Sequence, residues 1–208
     1  VATEEWNTGV AIGAWSTGGD LNTARKYMAG AGTQTAALGF GGASPVPSLA
    51  LTESYNGTSW TEVNDLNTAR YAMGGAGTQT AALGFGGYIP GSLALTEIWN
   101  GTNWTEVNDL NAARRYLAGA GATNTAALAF GGTPNTAATE TWNGTNWTEV
   151  NDLNTARQSL AGTGTNTAAL AFGGNTGPGA VTETWNGTNW TEVGDLNTAR
   201  SYLAGAGT

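Results

Sequence analysis

The stretch TEIWNGTNWTEVNDLNAAR, at residues 96–114, decides how this chain folds, because the chain repeats it. Close copies stand at residues 139–157 and 182–200, a looser copy at 52–70, and a stretched and degraded one at 3–25. Repetition at a fixed period indicates that each repeat forms one supersecondary unit, and that neighbouring units bury one another. The sequence therefore predicts a repeat protein.

The repeat length is measured best from one arginine per unit. These arginines are 45, 44, 43 and 43 residues apart, at Arg25, Arg70, Arg114, Arg157 and Arg200. Helix signals are missing between them, and Gly, Asn, Asp or Pro divide each unit into four short segments, a pattern typical of strands. Four-stranded units joined by short links predict an all-β fold, a β-propeller of four-stranded antiparallel blades.

The four segments of a unit differ in character. In the unit that follows the second arginine they are residues 71–78 (YAMGGAGT), 80–87 (TAALGFGG), 95–100 (LTEIWN) and 104–107 (WTEV). Glycine in the first segment predicts close backbone approach, as expected of an innermost strand. The second segment alternates apolar residues like a buried strand. Asn100-Gly101 predicts a tight hairpin with positive φ angles between the two outer strands.

The composition excludes several classes of function. The chain has 208 residues, a formal charge of −8, nine Trp and no His or Cys. A net negative charge argues against nucleic-acid binding, which needs Lys and Arg. Without His and Cys, neither a catalytic Ser-His-Asp or Cys-His arrangement nor zinc binding through imidazole or thiolate is possible. No apolar run approaches the roughly 20 residues of a membrane span. Carboxylate-only chemistry, as in glycosidases, stays possible in principle, but every Glu and Asp lies on the repeat motif. We therefore expect a non-enzymatic protein without cofactor or metal.

The repeated charged residues are candidates for a structural network. Four third segments carry an acidic counterpart to the repeat arginines, at Glu53, Glu97, Glu140 and Glu183. We expect ion pairs or hydrogen bonds between strands or blades. The alternative is a ring of five arginines at the mouth of a channel, able to bind a carboxylate or a sulfate.

Pairs of tryptophans flank each Asn-Gly hairpin. They are Trp99 with Trp104, Trp142 with Trp147, and Trp185 with Trp190. One interpretation is packing between blades. The other is a set of exposed rings on which sugars stack, one site per blade, which would give avidity through multivalency.

The order of residues within a unit resembles the kelch repeat. Arg70 opens the inner strand, residues 80–87 end in Gly-Gly, and a variable loop leads to Glu97, Trp99 and then Trp104. The resemblance covers the whole chain, although the period is shorter than the roughly 50 residues typical of kelch. It implies a propeller, a fold that hosts enzymes, adaptors and lectins alike. The near-identical repeats also resemble kelch-like arrays of phage tail and adhesion proteins, which implies an extracellular or virion-associated location.

Counting segments predicts one domain, 1–208, with five blades. Four repeats are complete, at residues 21–65, 66–109, 110–152 and 153–195. The fifth blade is a composite of residues 1–20 and 196–208, and it lacks a Gly-Gly second segment. The ring then closes imperfectly, or another chain supplies the strand, or the chain is a segment of a larger propeller.

Three functions remain compatible with these patterns. The first is a non-catalytic structural or adhesion module that recognises a surface receptor. The second is a multivalent lectin that binds glycans through the tryptophans. The third is a protein-interaction scaffold that uses the irregular, Pro-containing loops beginning at Ala43, Tyr88, Thr133 and Asn175.

Overall fold

The computed structural model describes residues 4–7, 14–45, 47–175 and 179–207. Parts of the predicted composite blade, and parts of the loops that begin at Ala43 and Asn175, lie outside these ranges. The described residues form strands and turns without a helix, so they contain no helix that could span a membrane.

The strands of the described residues are short, with two to six residues each. The first two are β1 (Glu4–Asn7) and β2 (Ala14–Thr17). The next ten are β3 (Ala29–Thr33), β4 (Ala36–Phe40), β5 (Thr52–Tyr55), β6 (Trp60–Val63), β7 (Gly74–Thr78), β8 (Ala81–Phe85), β9 (Tyr88–Ile89), β10 (Gly91–Ser92), β11 (Thr96–Trp99) and β12 (Trp104–Val107). The last eight are β13 (Ala118–Thr123), β14 (Ala126–Phe130), β15 (Thr139–Trp142), β16 (Trp147–Val150), β17 (Ala161–Gly164), β18 (Ala169–Phe172), β19 (Thr182–Trp185) and β20 (Trp190–Val193).

Sixteen of these strands form four antiparallel sheets of the same design, which makes the fold β-propeller-like. The sheets have the orders β3-β4-β5-β6, β7-β8-β11-β12, β13-β14-β15-β16 and β17-β18-β19-β20. Strands β9 and β10 form a small separate hairpin within a connecting loop, and β1 pairs with β2. The register repeats as well: Trp99 lies opposite Trp104, and Trp142 lies opposite Trp147.

The glycine-rich first strands of neighbouring sheets lie side by side. Strand β7 contacts both β3 and β13, and β13 contacts β17. A Cβ atom added at Gly119 would lie 2.6 Å from the carbonyl oxygen of Gly75 in the neighbouring sheet. Side chains do not fit between backbones this close, which explains the glycines that the sequence repeats in this segment.

The hydrophobic core lies between the sheets. In one interface, Leu83 and Phe85 of β8 pack with Trp142 and Trp147 of the following sheet, and all four are at most 5% exposed. The rings of Phe85 and Trp147 have centroids 5.0 Å apart. Each sheet therefore buries its apolar face against its neighbour, as a repeat unit that cannot bury its faces alone must do.

The outer hairpins differ from the prediction of a tight Asn-Gly turn. The loop has four residues, 100–103, and Gly101 has a φ of +93° while Asn100 is not among the residues with positive φ. Instead, the Oδ1 atom of Asn100 accepts hydrogen bonds from the backbone N–H groups of Thr102 and Asn103, both at 2.9 Å. An Asx turn thus replaces the second left-handed residue that a two-residue turn requires.

The last described residues continue the pattern of first strands. The backbone N–H of Gly164 in β17 donates to the carbonyl oxygen of Gly207 at 3.2 Å. A Cβ atom added at Gly205 would lie 2.5 Å from the carbonyl oxygen of Gly162. Residues 203–207 therefore run beside β17 as β17 runs beside β13.

Candidate functional site

The repeat arginines of the four complete sheets are buried and paired with the third-strand glutamates. The nitrogen–oxygen distances are 2.5 Å for Arg25–Glu53, 2.7 Å for Arg114–Glu140 and 2.8 Å for Arg157–Glu183, and Arg70 pairs with Glu97 in the same way. These eight side chains are 0–6% exposed. These four arginines therefore do not form a ring at the mouth of a channel that is open to a carboxylate or a sulfate.

Each pair belongs to a wider hydrogen-bond network inside its sheet. Arg70 also donates to the carbonyl oxygens of Gly84 and Gly86 at the end of the second strand, at 3.3 and 3.0 Å. The other carboxylate oxygen of Glu97 accepts from the backbone and side-chain N–H groups of Asn67, both at 2.8 Å. The network thus ties the Asn-Thr-Ala-Arg link to the second and third strands. All three guanidinium nitrogens of Arg70 donate within it. In the other three sheets the Nε atom of the arginine is buried without a hydrogen-bond partner among the described residues, at Arg25, Arg114 and Arg157.

Burial shifts the pKa of two of these arginines, Arg114 and Arg157. Burial lowers the pKa of Arg114, and the neighbouring Glu140 carboxylate opposes that shift. The pKa of Arg157 is lowered for the same reason, with Glu183 in the opposing role. Removal of the carboxylate partner would leave the guanidinium as an uncompensated buried charge. These pairs therefore have a structural role within the sheet and are not a binding site for an anionic ligand.

Arg200, the fifth repeat arginine, behaves differently. Its side chain is exposed. The other four arginines are covered by the second strand of their own sheet, to whose carbonyl oxygens they donate. Within the described residues no strand takes that place beside Arg200.

The tryptophans that the sequence proposed as sugar platforms are buried. Trp99, Trp104, Trp142, Trp147, Trp185 and Trp190 are 1–5% exposed. The fourth-strand rings pack on the phenylalanine of the preceding sheet, and their indole N–H groups donate to a threonine there, as Trp147 does to Thr96 at 3.0 Å. Rings without an exposed face cannot stack on a sugar, so these six residues supply packing between the sheets.

A different set of residues meets at the start of the first strands. The second residue after each repeat arginine has a left-handed backbone with φ between +54° and +56°, at Tyr27, Ala72, Tyr116, Ser159 and Tyr202. This conformation costs a non-glycine residue about 1–2 kcal/mol. Backbone hydrogen bonds of 2.8–2.9 Å link the five residues. In each bond, the N–H of one residue donates to the carbonyl oxygen of the previous residue in the series. These bonds offset the conformational free energy of the left-handed backbone.

Three tyrosines of this series lie against one another. The ring centroids of Tyr27, Tyr116 and Tyr202 are 5.7–5.9 Å apart in each pairing. Ala72 and Ser159, the small residues that alternate with them, leave room for these contacts. Tyr27 is 38% and Tyr202 57% exposed, so the cluster presents aromatic surface to solvent.

The two cations outside the repeat positions stand beside these rings. Of seven Lys and Arg in the chain, only Lys26 and Arg115 do not open a repeat. The guanidinium of Arg115 lies 4.4 Å from the ring centre of Tyr88, and the Lys26 Nζ lies 5.4 Å from that of Tyr27. We call the surface formed by Lys26, Tyr27, Tyr71, Tyr88, Arg115, Tyr116 and Tyr202 the tyrosine face.

The irregular loops reach the same surface. Isolated β-bridges join Lys26 to Ala43, Tyr71 to Tyr88 and Arg115 to Thr133, and Asn175 donates to the carbonyl oxygen of Gln158 at 3.0 Å. The four loops that the sequence singled out therefore begin beside the tyrosine face. The structure brings together two features, unlike loops and unlike first-strand residues, that are far apart in the sequence.

A cavity of about 370 Å³ lies at the tyrosine face. Tyr27, Tyr116, Tyr202 and Ser159 are among the residues that line it. The Oγ atom of Ser159 is buried and has no hydrogen-bond partner among the described residues. Burial, and then the neighbouring Tyr202 and Tyr27, raise the pKa of Tyr116.

Sequence reasoning missed this site, although the departure from repetition at the second position after each arginine was a visible signal.

The aspartates of the links serve the strands. Asp109 accepts a hydrogen bond at 3.0 Å from the backbone N–H of Thr96, and Asp65, Asp152 and Asp195 do the same for their own third strands. Within the described ranges no three acidic residues come together as a metal site would require.

Comparison with known proteins establishes the fold alone. No family model and no curated protein matches the sequence. A solved structure titled "Structure of YjhT" is similar to this chain with a TM-score of 0.79 at 12% identity, over 98% of this chain and 80% of that one. An identity this low shows a shared fold and carries no function from one protein to the other.

Proposed function

We propose that this protein is a non-catalytic binding module of the adhesion or receptor-recognition type, and that it binds a surface receptor through the tyrosine face. One observation carries the proposal: the repeated charged and aromatic residues are used inside the sheets, whereas the unlike residues gather on one surface. Exposed tyrosines and an arginine are residue types enriched at binding hot spots. The irregular loops around the tyrosine face differ in sequence and length from blade to blade, so the surface they form is not repetitive. A specific protein partner requires such a surface.

The proposal includes the arrangement of the chain. We infer that the repeats are kelch-like and that residues 196–207 and β1–β2 form a fifth, composite blade. The ring contact between Tyr27 and Tyr202, at 5.9 Å, supports this arrangement because it joins the first and the last unit.

A glycan is the second candidate ligand, and the exposed rings of Tyr27 and Tyr202 favour it. These rings lie together at one place, so a lectin built on them has a single site instead of one site per blade. Lys26 beside Tyr27, and Arg115 beside Tyr88 and Tyr116, add a preference for acidic glycans.

The test is a binding screen of the full chain against arrays of purified cell-surface proteins and of neutral and acidic glycans. The double variant Tyr88→Ala, Arg115→Ala should lose the ligand that the unmodified chain binds. The matched control is Thr145→Ala, an exposed change in an outer hairpin at the opposite ends of the strands. Binding that the double variant keeps and Thr145→Ala abolishes would overturn the assignment to the tyrosine face.

A further inference from the structure

The cavity at the tyrosine face is apolar in its interior and aromatic at its rim. Met73, Leu117 and Leu160 line it and are 5–6% exposed, whereas Tyr27 and Tyr202, which also line it, are 38% and 57% exposed. Its volume of about 370 Å³ lies within the range of roughly 300–1,000 Å³ that is usual for ligand pockets. The cavity therefore suits an apolar, ring-shaped group of limited size.

Ser159 leaves space in this cavity and carries its unpaired hydroxyl. Three of the four other units have a tyrosine at the equivalent left-handed position. Ser159 is only 5% exposed, and its Oγ atom has no hydrogen-bond partner among the described residues. A buried hydroxyl without a partner is rare in folded proteins, and a ligand can supply the missing bond.

The unpaired hydroxyl is specific to the cavity. Arg25 lines the cavity too, and its Nε atom also lacks a partner among the described residues. The Nε atoms of Arg114 and Arg157 lack one as well, although neither arginine lines the cavity. The unpaired Nε therefore belongs to the repeat, whereas the hydroxyl of Ser159 indicates a ligand with a hydrogen-bonding group on its apolar body.

Two cations stand beside the cavity in a chain with a formal charge of −8. Lys26 is exposed and lines the cavity. The guanidinium carbon of Arg115 lies 5.8 Å from the ring centre of Tyr116, which lines the cavity as well. Within the described residues, neither cation forms an ion pair with a carboxylate. Both are therefore available to a ligand that carries negative charge next to its apolar group.

We propose that the cavity binds a tyrosine side chain of the receptor, carried by an acidic segment of that protein. The ring packs against the tyrosines of the rim and the apolar interior, in the edge-to-face or offset geometry that aromatic rings prefer. Its hydroxyl forms a hydrogen bond with Oγ of Ser159, and flanking carboxylates lie beside Lys26 and Arg115. The inference rests on the proposed function, for which it names the part of the receptor that is recognised.

A sugar fits the interior of the cavity less well than a tyrosine. A sugar ring would bring several hydroxyl groups out of water, and each buried hydroxyl needs a hydrogen-bond partner. Among the described residues that line the cavity, Ser159 alone has a buried hydroxyl without a partner. A phenol brings one hydroxyl, which matches that supply.

The experiment uses the peptide Glu-Asp-Tyr-Asp-Glu with blocked ends, titrated against the full chain and followed by the chemical shifts of its ¹⁵N-labelled amides. We expect saturable binding. Peptides with Ala in place of Tyr, or with Lys in place of the acidic residues, should bind about tenfold more weakly or less. Absence of saturable binding, or equal binding of the Ala peptide, overturns the proposal. Saturable binding of trigalacturonic acid without binding of the peptide overturns it in favour of a glycan.

The variant Ser159→Ala tests the hydrogen bond without filling the cavity. In the unmodified chain, a peptide with Phe in place of Tyr should bind about three- to tenfold more weakly, because it cannot form that bond. In Ser159→Ala the preference for Tyr over Phe should disappear, as a double-mutant cycle requires for two groups in contact. An equal preference for Tyr in both proteins overturns the proposal.

The variant Ser159→Tyr fills the cavity. The backbone accepts this change, because Tyr27, Tyr116 and Tyr202 have the same left-handed conformation. Binding of the tyrosine peptide should be lost, and retained binding counts against the proposal. A receptor from the binding screen that Ser159→Tyr still binds would overturn the cavity assignment and leave the proposed function intact. Peptide binding that depends on Ser159, with no protein receptor in the screen, would do the reverse.

Discussion

Replacing one glycine of the first strands should be far more costly than replacing its counterpart in another unit. Gly119→Ala and Gly30→Ala change the same position of the repeat, and neither glycine has a positive φ. At Gly119 the new methyl group would lie 2.6 Å from the Gly75 oxygen and 2.6 Å from Cζ of Phe85. Both atoms belong to the neighbouring sheet, so two sheets must separate to accept the change.

The magnitude follows from these contacts. Overpacking of this kind costs about 1–3 kcal/mol. At Gly30 the methyl group meets one atom at an ordinary van der Waals distance of 3.5 Å. There, the loss of backbone freedom in the unfolded chain should stabilise the protein by about 0.4–1 kcal/mol. The free energies of unfolding of the two variants should therefore differ by about 1.4–4 kcal/mol.

The assay is equilibrium unfolding in urea, followed by tryptophan fluorescence. Gly119→Ala should lower the midpoint at an unchanged m value, and Gly30→Ala should leave it equal or raise it. In thermal unfolding, each kcal/mol corresponds to about 2–4 °C for a chain of this size. Equal losses in both variants would refute the reasoning, because they would show that the first and last units approach each other as closely as the others do.

Two further predictions concern charged and titratable groups. Glu97→Gln should destabilise the fold by about 3–5 kcal/mol because it leaves Arg70 buried without its counter-ion. Glu106→Gln, at an exposed position of β12, should change the unfolding free energy by less than about 0.5 kcal/mol. Equal urea midpoints for both variants would contradict the structural role of the pair. The pKa of Tyr116 is raised in the folded state, so the unfolded chain releases the phenol proton at a lower pH than the folded chain does. The neutral Tyr116 side chain therefore contributes to stability below about pH 10. This contribution is lost as the pH rises through the higher pKa of the folded state. Tyr116→Phe should therefore flatten the decline of the melting temperature above about pH 10, and an unchanged decline would argue against it.

Much of the fold was predictable because the forces that set it repeat along the chain. The spacing of Arg70 and its equivalents, and the punctuation by Gly, Asn and Pro, mark four strands per unit. The glycines of the first strand predict close contact between the backbones of neighbouring sheets, and Gly119 makes such a contact. The Asx turn at Asn100 was harder to predict, since Asn-Gly is compatible with more than one hairpin loop.

The candidate site was not predictable in the same way. The sequence by itself determined the repeat, the strands and the class of fold, because strand periodicity and turn chemistry act over a few residues. Only the tertiary structure decided that Trp147 and its equivalents are buried, that Arg200 is exposed, and that Tyr27, Tyr116 and Tyr202 meet. These properties depend on which unit lies beside which, and a side chain is buried or exposed by neighbours that the chain brings from the next repeat or from its other end.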